Sequence, residues 1–376
     1  MTNTVIVSDF EFDRAGLPTT GYSNIAVTLG NELTRKGHKI IGFGFSYGRQ
    51  EHQSLFGINA VQVPHIPIVV NTLVRGIALS RIIFVLDVPL IEHLTLGIAQ
   101  STKLPENFRS LGIFAIESDP LCMSWAVSLS RLTHRFAISR FGTEEVIKTG
   151  LDAKHYQVPL NLDMWRKRTS DEKENLKQAL GLKDKYVMFV NADGNERKNI
   201  STVLEGLQIA VKQNPNLHLL LLTRKNFHLA WKFDDLINVL GLQKNISIID
   251  RGIPQNDVWN LYAASDSFWN CSKAEGLCLP LLEAMSVGVP CVATNATAMK
   301  ESLADGRGLL LDPNYRWIDP FGNTGRYFVF PDKVAEAMLK MSSTDESLFE
   351  EQIDKARKYV ESRTVKEAVD TIEAVL

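Results

Sequence analysis

Glu275 and Glu283 enclose the segment Gly276-Leu277-Cys278-Leu279-Pro280-Leu281-Leu282, and an apolar run, Ser267-Phe268-Trp269-Asn270-Cys271-Ser272, leads straight into them. Proline is pre-set for the first helical position, so a helix is predicted to begin at Pro280. Its N-terminal amides, with the partial positive charge of that end, would face the Glu275 loop, and such an end binds phosphate. Two ionised carboxylates beside a phosphate would repel it unless hydrogen-bond donors occupy them, because a carboxylate can only accept. Hydroxyl groups are the natural donors. A nucleoside diphosphate sugar carries hydroxyls on both sides of its phosphates, one set on the ribose and one on the sugar, so the pair reads as a clamp for such a molecule.

Cations for the phosphates stand at Arg197 and Lys198, within "VMFVNADGNERKN", after a strand pattern and before a helical one over 200–211. Arginine offers a planar fork and lysine a point charge, and a diphosphate suits both. Gly21 lies in Leu17-Pro18-Thr19-Thr20-Gly21-Tyr22-Ser23, between the first strand pattern and a helix over 24–35. Two further groups of carboxylates carry possible chemistry. Glu117 and Asp119 lie in Ile116-Glu117-Ser118-Asp119-Pro120, where Ser118 and Asp119 before a proline also fit a helix start. Asp9, Glu11 and Asp13 in "DFEFD" resemble a set that holds a divalent cation against phosphates. His65, His93 and His134 show no ligand spacing.

These residues are spread over a chain in which short β-branched or aromatic runs alternate with helical patterns, the mark of parallel sheets covered by helices. Strands are predicted at 5–8, 40–45, 61–63, 82–86, 113–116 and 136–139, and in a second set at 186–190, 217–222, 246–249, 267–270, 291–294 and 309–311. The fold class is therefore α/β with two sheets. Between the sets, residues 161–185 replace apolar periodicity with charge and read as a linker followed by an exposed helix, while the tail from 345 is helical and charged. The organisation expected is 1–162, 163–345 and a helical 346–376. Open parallel sheets bind ligands beyond the carboxyl ends of their strands, so two facing domains would hold one substrate each.

A length of 376 residues with 45% hydrophobic content is enough for two packed cores. The formal net charge is -2, from 41 basic and 43 acidic residues, which gives no field that would recruit nucleic acid. Cys122, Cys271, Cys278 and Cys291 lack metal-ligand or redox spacing, and a reducing cytoplasm is the expected setting. No apolar run approaches the roughly 18 residues of a spanning helix. The most apolar region, 66–90, reads either as a buried helix followed by the strand 82–86 or as a membrane-facing surface of a peripheral enzyme with a lipid-linked acceptor.

The stretch from Ser272 to Glu301, "SKAEGLCLPLLEAMSVGVPCVATNATAMKE", together with the later "DGRGLLLDP", closely resembles the donor site of retaining GT-B glycosyltransferases of family 4, whose signature is Glu, seven residues, Glu. The resemblance implies that Glu275 faces the donor sugar and Glu283 holds the ribose, with the backbone of Gly276, Leu277, Cys278 and Leu279 on the sugar and β-phosphate. Cys278 stands where the family commonly has glycine, and its side chain would narrow sugar choice. Lys198 carries over as the phosphate lysine. The family's arginine several residues earlier is missing from Ala192-Asp193-Gly194-Asn195, so Arg197 either replaces that cation or faces solvent. Gly21 matches the glycine of the first-domain loop near the phosphates and acceptor. Where the family often has a histidine, Glu117 or Asp119 stands instead, able to bind sugar hydroxyls or take the acceptor's proton. Arg251 and Ile253, in Arg251-Gly252-Ile253-Pro254, fall where relatives contact the nucleobase.

The resemblance thus implies a GT-B fold of two Rossmann-like domains, the last helix crossing back onto the first. It also implies a metal-independent retaining transfer of a hexosyl group from a sugar nucleotide to a hydroxyl on an acceptor left open. No cofactor is expected. Two alternatives stand beside this: a non-catalytic protein that binds sugar nucleotides or glycans, and a metal-dependent transferase using Asp9, Glu11 and Asp13.

Overall fold

A computed structural model describes residues 3–76, 79–101, 104–117, 119–225, 231–320 and 324–376. The chain divides into two compact units, one of Met1–Pro159 with Arg363–Leu376 and one of Leu160–Ser362.

In the first unit the strands are β1 (Asn3–Ser8), β2 (Lys39–Gly44), β3 (Gly57–Ala60), β4 (Arg81–Val85), β5 (Arg109–Phe114), β6 (His134–Ala137) and β7 (Lys154–His155). They form one parallel sheet in the order β3-β2-β1-β4-β5-β6-β7. Consecutive residues such as Ile82, Ile83 and Phe84 are all fully buried, because helices cover both faces. Each such side chain contributes about 1.5–3 kcal/mol of burial. The helix Gly21–Arg35 starts where Thr20 caps it, its side chain accepting from the Ser23 amide. The closing helix Val365–Glu373 packs on that helix, with Lys36 paired to Asp370 and Glu373 at 3.0 and 2.5 Å.

In the second unit β8 (Tyr186–Asn191), β9 (Leu217–Thr223), β10 (Ile246–Asp250), β11 (Ser267–Asn270), β12 (Cys291–Thr294) and β13 (Leu309–Leu311) form a parallel sheet in the order β10-β9-β8-β11-β12-β13. A separate antiparallel hairpin joins β14 (Tyr315–Asp319) to β15 (Thr324–Phe328). All seven residues of β9 are buried. Helices Ile200–Ala210 and Pro331–Ser343 pack so closely that a β-carbon on Gly206 would lie 2.8 Å from Val334. In both sheets chain order reverses about a central strand, between β1 and β4 and between β8 and β11. The carboxyl ends of those pairs are the places where such folds bind ligands.

Three readings are corrected. The strand predicted at 61–63 lies earlier, as β3, and Val63–His65 form a 3₁₀ turn containing Pro64. The hairpin of β14 and β15 was not predicted. The helix expected to be exposed within 161–185 is Ser170–Ala179, and one face of it is buried: Lys173 and Lys177 contact Asp266 at 2.7 and 3.0 Å. Charge in a helix ordinarily faces solvent, whereas the four-residue spacing of the lysines sets both on one face against an acid distant in sequence. Of the helical tail, Glu350–Glu361 belongs to the second unit and Val365–Glu373 to the first. Among the described residues no helix is long and apolar enough to cross a membrane. Within the apolar region, Ile66 and Val70 of helix Ile66–Gly76 are buried while Ile68 is exposed.

Candidate active site

The loops that follow β8 and β11 are bound to each other. The Lys273 amide donates to the Arg197 carbonyl at 2.8 Å, and Asn199 Nδ2 donates to the Cys271 carbonyl at 3.2 Å. The first loop tightens into the 3₁₀ turn Glu196–Lys198, capped by Asn195 and closed by Asn199 in the left-handed region at φ 53. This geometry sets Arg197 and Lys198 against Glu275. Lys198 Nζ lies 2.6 Å from Glu275 Oε1, and Arg197 Nη1 lies 3.0 Å from Oε2. Ser272 Oγ donates to Oε1 at 2.6 Å, and the Glu275 amide donates to Thr297 Oγ1 at 2.9 Å. Glu275 is only 4% exposed. Burial would raise its carboxyl, but Lys198 and Arg197 hold it down at about 2.

Glu283 lies in a different setting. The helix that carries it begins at Leu279, one residue before the predicted start, with Pro280 in its first turn. Cys278 takes the left-handed conformation at φ 69, which turns the chain into the helix and explains why glycine would suit the position. Asn270 Nδ2 donates to Cys278 Sγ at 2.7 Å, and burial, aided by Glu275, pushes the thiol up to about 12. Gly276 and Leu277 are buried, and Leu279 is half-buried. Glu283 Oε2 accepts from Tyr262 Oη at 2.8 Å. Burial raises the Glu283 carboxyl to about 7 against the opposing effects of the Tyr262 hydrogen bond and Arg251. Arg251 pairs with Asp193 at 3.0 Å and reaches Asn191 Oδ1 at 3.4 Å, while Ile253 is half-buried in the turn that follows.

In the first unit Gly21 is the first residue of its helix. Next to it Tyr22 Oη donates to Asp87 at 2.6 Å, just beyond β4. Burial and then Asp87 push the Tyr22 phenol up, with Glu117 adding to the effect. Glu117 and Asp119 are half-buried after β5, and Ser118 lies outside the described residues. Pro120 does not open a helix, since the next one begins at Met123 after Cys122. The carboxylates of the "DFEFD" run are drawn into local turns. Asp9 accepts from Thr20 and Ser23 hydroxyls, both at 2.6 Å, and Asp13 accepts from the Ala15 and Leu17 amides at 2.9 and 2.8 Å. Glu11 takes the Thr19 hydroxyl at 3.3 Å. Among the described residues no three such groups are placed to hold a metal ion.

The structure therefore joins Glu275, Lys198 and Arg197 in one cluster, and links Glu283 to Arg251 through Tyr262 and Asn191. Ser272, Thr297, Asn191, Asn270 and Tyr262 were missed from sequence. Asn191 and Asn270 carried a usable signal, a polar side chain at the carboxyl end of an otherwise apolar parallel strand. Tyr262, inside the helix Gln255–Ala264, carried none.

Residues 171–319, which include Arg197, Lys198, Arg251, Glu275 and Glu283, match the sequence model of the family described as glycosyl transferases group 1. The two Rossmann-like parallel sheets give the chain the GT-B fold, and the likeness to solved structures extends over both units. Among individual proteins, the chain is 35% identical over 131 residues to the O-antigen chain mannosyltransferase B of Escherichia coli, a match spanning 34% of this chain and about a third (33%) of that relative. It is similar in fold to Anabaena HepE, solved in complex with UDP and glucose, at 15% identity and a TM-score of 0.75, covering 100% of this chain and 99% of the other. The sucrose-phosphate synthase of Thermosynechococcus elongatus gives 14% identity and a TM-score of 0.78, covering 100% and 98%.

Proposed function

We propose that the chain is a retaining glycosyltransferase that moves a hexosyl group from a nucleoside diphosphate sugar to an acceptor hydroxyl without a metal ion. The observation that carries this reading is the buried Glu275 carboxylate shared by Lys198 and Arg197 beyond β8 and β11. It supplies two cations for a diphosphate and one carboxylate for sugar hydroxyls within a single hydrogen-bonded cluster. Lys198 and Arg197 take the phosphates, Glu275 the sugar, and Glu283 the ribose. The backbone from Gly276 to Leu279 lies along the sugar and β-phosphate, and Arg251 and Ile253 lie at the nucleobase. As the glycosidic bond breaks, negative charge grows on the departing diphosphate, and fixed cations lower that barrier most. The acceptor attacks from the face the diphosphate leaves, which retains configuration, and positioning supplies much of the remaining rate. In the first unit Glu117 and Asp119 are the carboxylates assigned to the acceptor, and Gly21 allows close backbone approach.

Incubation with UDP-glucose, GDP-mannose and related donors, followed by mass spectrometry of retained ligand and released diphosphate, tests the reading. The mannosyltransferase relative and the UDP-bound neighbour make these the first donors to try. Turnover that persists in chelator, with the anomeric configuration of the product matching the donor, supports every part of it. A donor held without turnover, acceptor mixtures included, reduces the protein to a binding module. Activity lost in chelator and restored by a divalent ion overturns metal independence.

A further inference from the structure

Tyr262 is fully buried, with its ring edge-on to Trp165 and Phe189 at centroid distances of 5.6 and 4.8 Å and tilted against Phe268 at 5.5 Å. The phenol cannot rotate away. Its hydroxyl accepts from Asn191 Nδ2 at 3.2 Å and has two acceptors within reach, Glu283 Oε2 at 2.8 Å and the Pro280 carbonyl at 3.1 Å. One proton cannot serve both, and an ionised carboxylate is the stronger acceptor. On the other side Glu283 Oε1 accepts no hydrogen bond among the described residues, and Glu283 is half-buried rather than sealed.

We infer that Tyr262 is a positioning residue of the donor site: it holds Glu283 by Oε2 and so presents Oε1 as the oxygen that takes a vicinal diol of the ligand. The inference rests on the proposed ribose role of Glu283. A buried tyrosine needs some hydrogen-bond partner, and the Pro280 carbonyl alone would meet that need. The second acceptor is what gives the hydroxyl a functional consequence. With the carboxylate ionised, the proton goes to Glu283; with it protonated, the hydroxyl turns to Pro280, and Glu283 is released as a neutral, weaker acceptor. The charged or titratable groups facing Glu283 are Tyr262, Arg251 and Cys278. Of these, Tyr262 and Cys278, both pushed up by burial, keep their protons through the neutral range, which leaves Glu283 itself as the group that titrates near pH 7.

The test is the pH profile of UDP and GDP binding, measured by titration calorimetry from pH 5.5 to 9.5 on wild type, Tyr262→Phe and Glu283→Gln. Wild-type affinity should fall as pH drops through about 7. Without the donated bond the carboxyl of Tyr262→Phe titrates about one pH unit higher, giving about fivefold weaker binding at pH 7 that largely recovers at pH 9.5. A merely structural loss would weaken binding equally at every pH. That result, or a profile identical to wild type while Glu283→Gln still loses affinity, overturns the inference. If Glu283→Gln binds like wild type, the ribose role itself fails instead. Incorporation of 2,3-difluorotyrosine at position 262 preserves the packing and strengthens the donor, so it should move the midpoint down; an unmoved or raised midpoint is a second refutation.

Discussion

Glu275→Gln removes one negative charge from a point where two cations and a serine hydroxyl converge. The carboxyl titrates at about 2 against an ordinary value of 4.5, although burial alone would raise it. That depression corresponds to roughly 3 kcal/mol favouring the ionised form, at about 1.4 kcal/mol per pH unit. Removing one partner from a buried ion pair costs about 3–5 kcal/mol, because the other charges stay buried and uncompensated. The two routes agree near 3. For a unit of this size each kcal/mol moves the melting point about 2–4 °C, so the unliganded variant should melt roughly 6–12 °C lower. A nucleoside diphosphate then has the opposite effect. In wild type it must displace Glu275 from Lys198 and Arg197, whereas in the variant both cations are open, so the free diphosphate should bind at least as tightly. Differential scanning fluorimetry with and without UDP or GDP reads both quantities, and saturating diphosphate should close more than half of the melting gap. The pH dependence has a defined sign. A depressed carboxyl contributes stability above its unfolded value of 4.5 that is lost as pH falls toward 2, so the gap between variant and wild type should be flat above pH 5 and close in acid. A variant that melts within about 2 °C of wild type, or binds diphosphate more than about tenfold worse, would refute Glu275 as the cations' counter-ion.

Lys198→Ala should weaken binding of sugar nucleotide and free diphosphate alike and slow turnover, since both ligands present the phosphates; a loss confined to the sugar nucleotide would move Lys198 to the sugar. Glu283→Gln should cost roughly ten- to a hundredfold in diphosphate affinity, as charge-assisted hydrogen bonds are worth about 1.5–3 kcal/mol. The same variant should gain thermal stability over wild type above pH 7: the raised Glu283 carboxyl favours the protonated fold, and that contribution disappears as pH rises through about 7. A melting-point difference independent of pH would contradict it. At position 278, Cys278→Gly should be more stable than Cys278→Ala by about 1 kcal/mol in chemical denaturation, because only alanine keeps the left-handed strain. An alanine variant equal to glycine would show the strain to be absent.

Eleven of the twelve strands expected from sequence overlap observed ones, because strands buried on both faces write continuous apolar runs that survive reading without context. The cluster of Glu275 with Lys198 was legible in kind but not in geometry. Each residue follows a strand pattern, yet only sheet order makes β8 and β11 neighbours, and strand order is not written in local periodicity. Lys173 and Lys177 show the opposite failure, since a charged helix normally faces water and their partner Asp266 is remote in the chain. Tyr262 was hidden for a third reason. Its ring belongs to the core and only its oxygen reaches the site, so its sequence surroundings are those of any packed helix.

Asp266 immediately precedes β11 and Glu275 lies in the loop five residues beyond it, and both carry buried or nearly buried ion pairs. All four residues of Ser267-Phe268-Trp269-Asn270 are buried, so the strand has no buried–exposed alternation to fix its alignment with its neighbours. The charges supply what the apolar residues lack. Asp266 accepts the Val187 amide at 2.7 Å, where β8 begins, while Glu275 holds Lys198 beyond the end of the same strand. A slip of one residue would move both acids about 3.3 Å and leave charges unpaired at each end at once. In this protein ion pairs on either side of β11 add to the backbone ladders in holding its alignment, so the cluster that would grip a ligand is also one of the two pins that hold the strand in place.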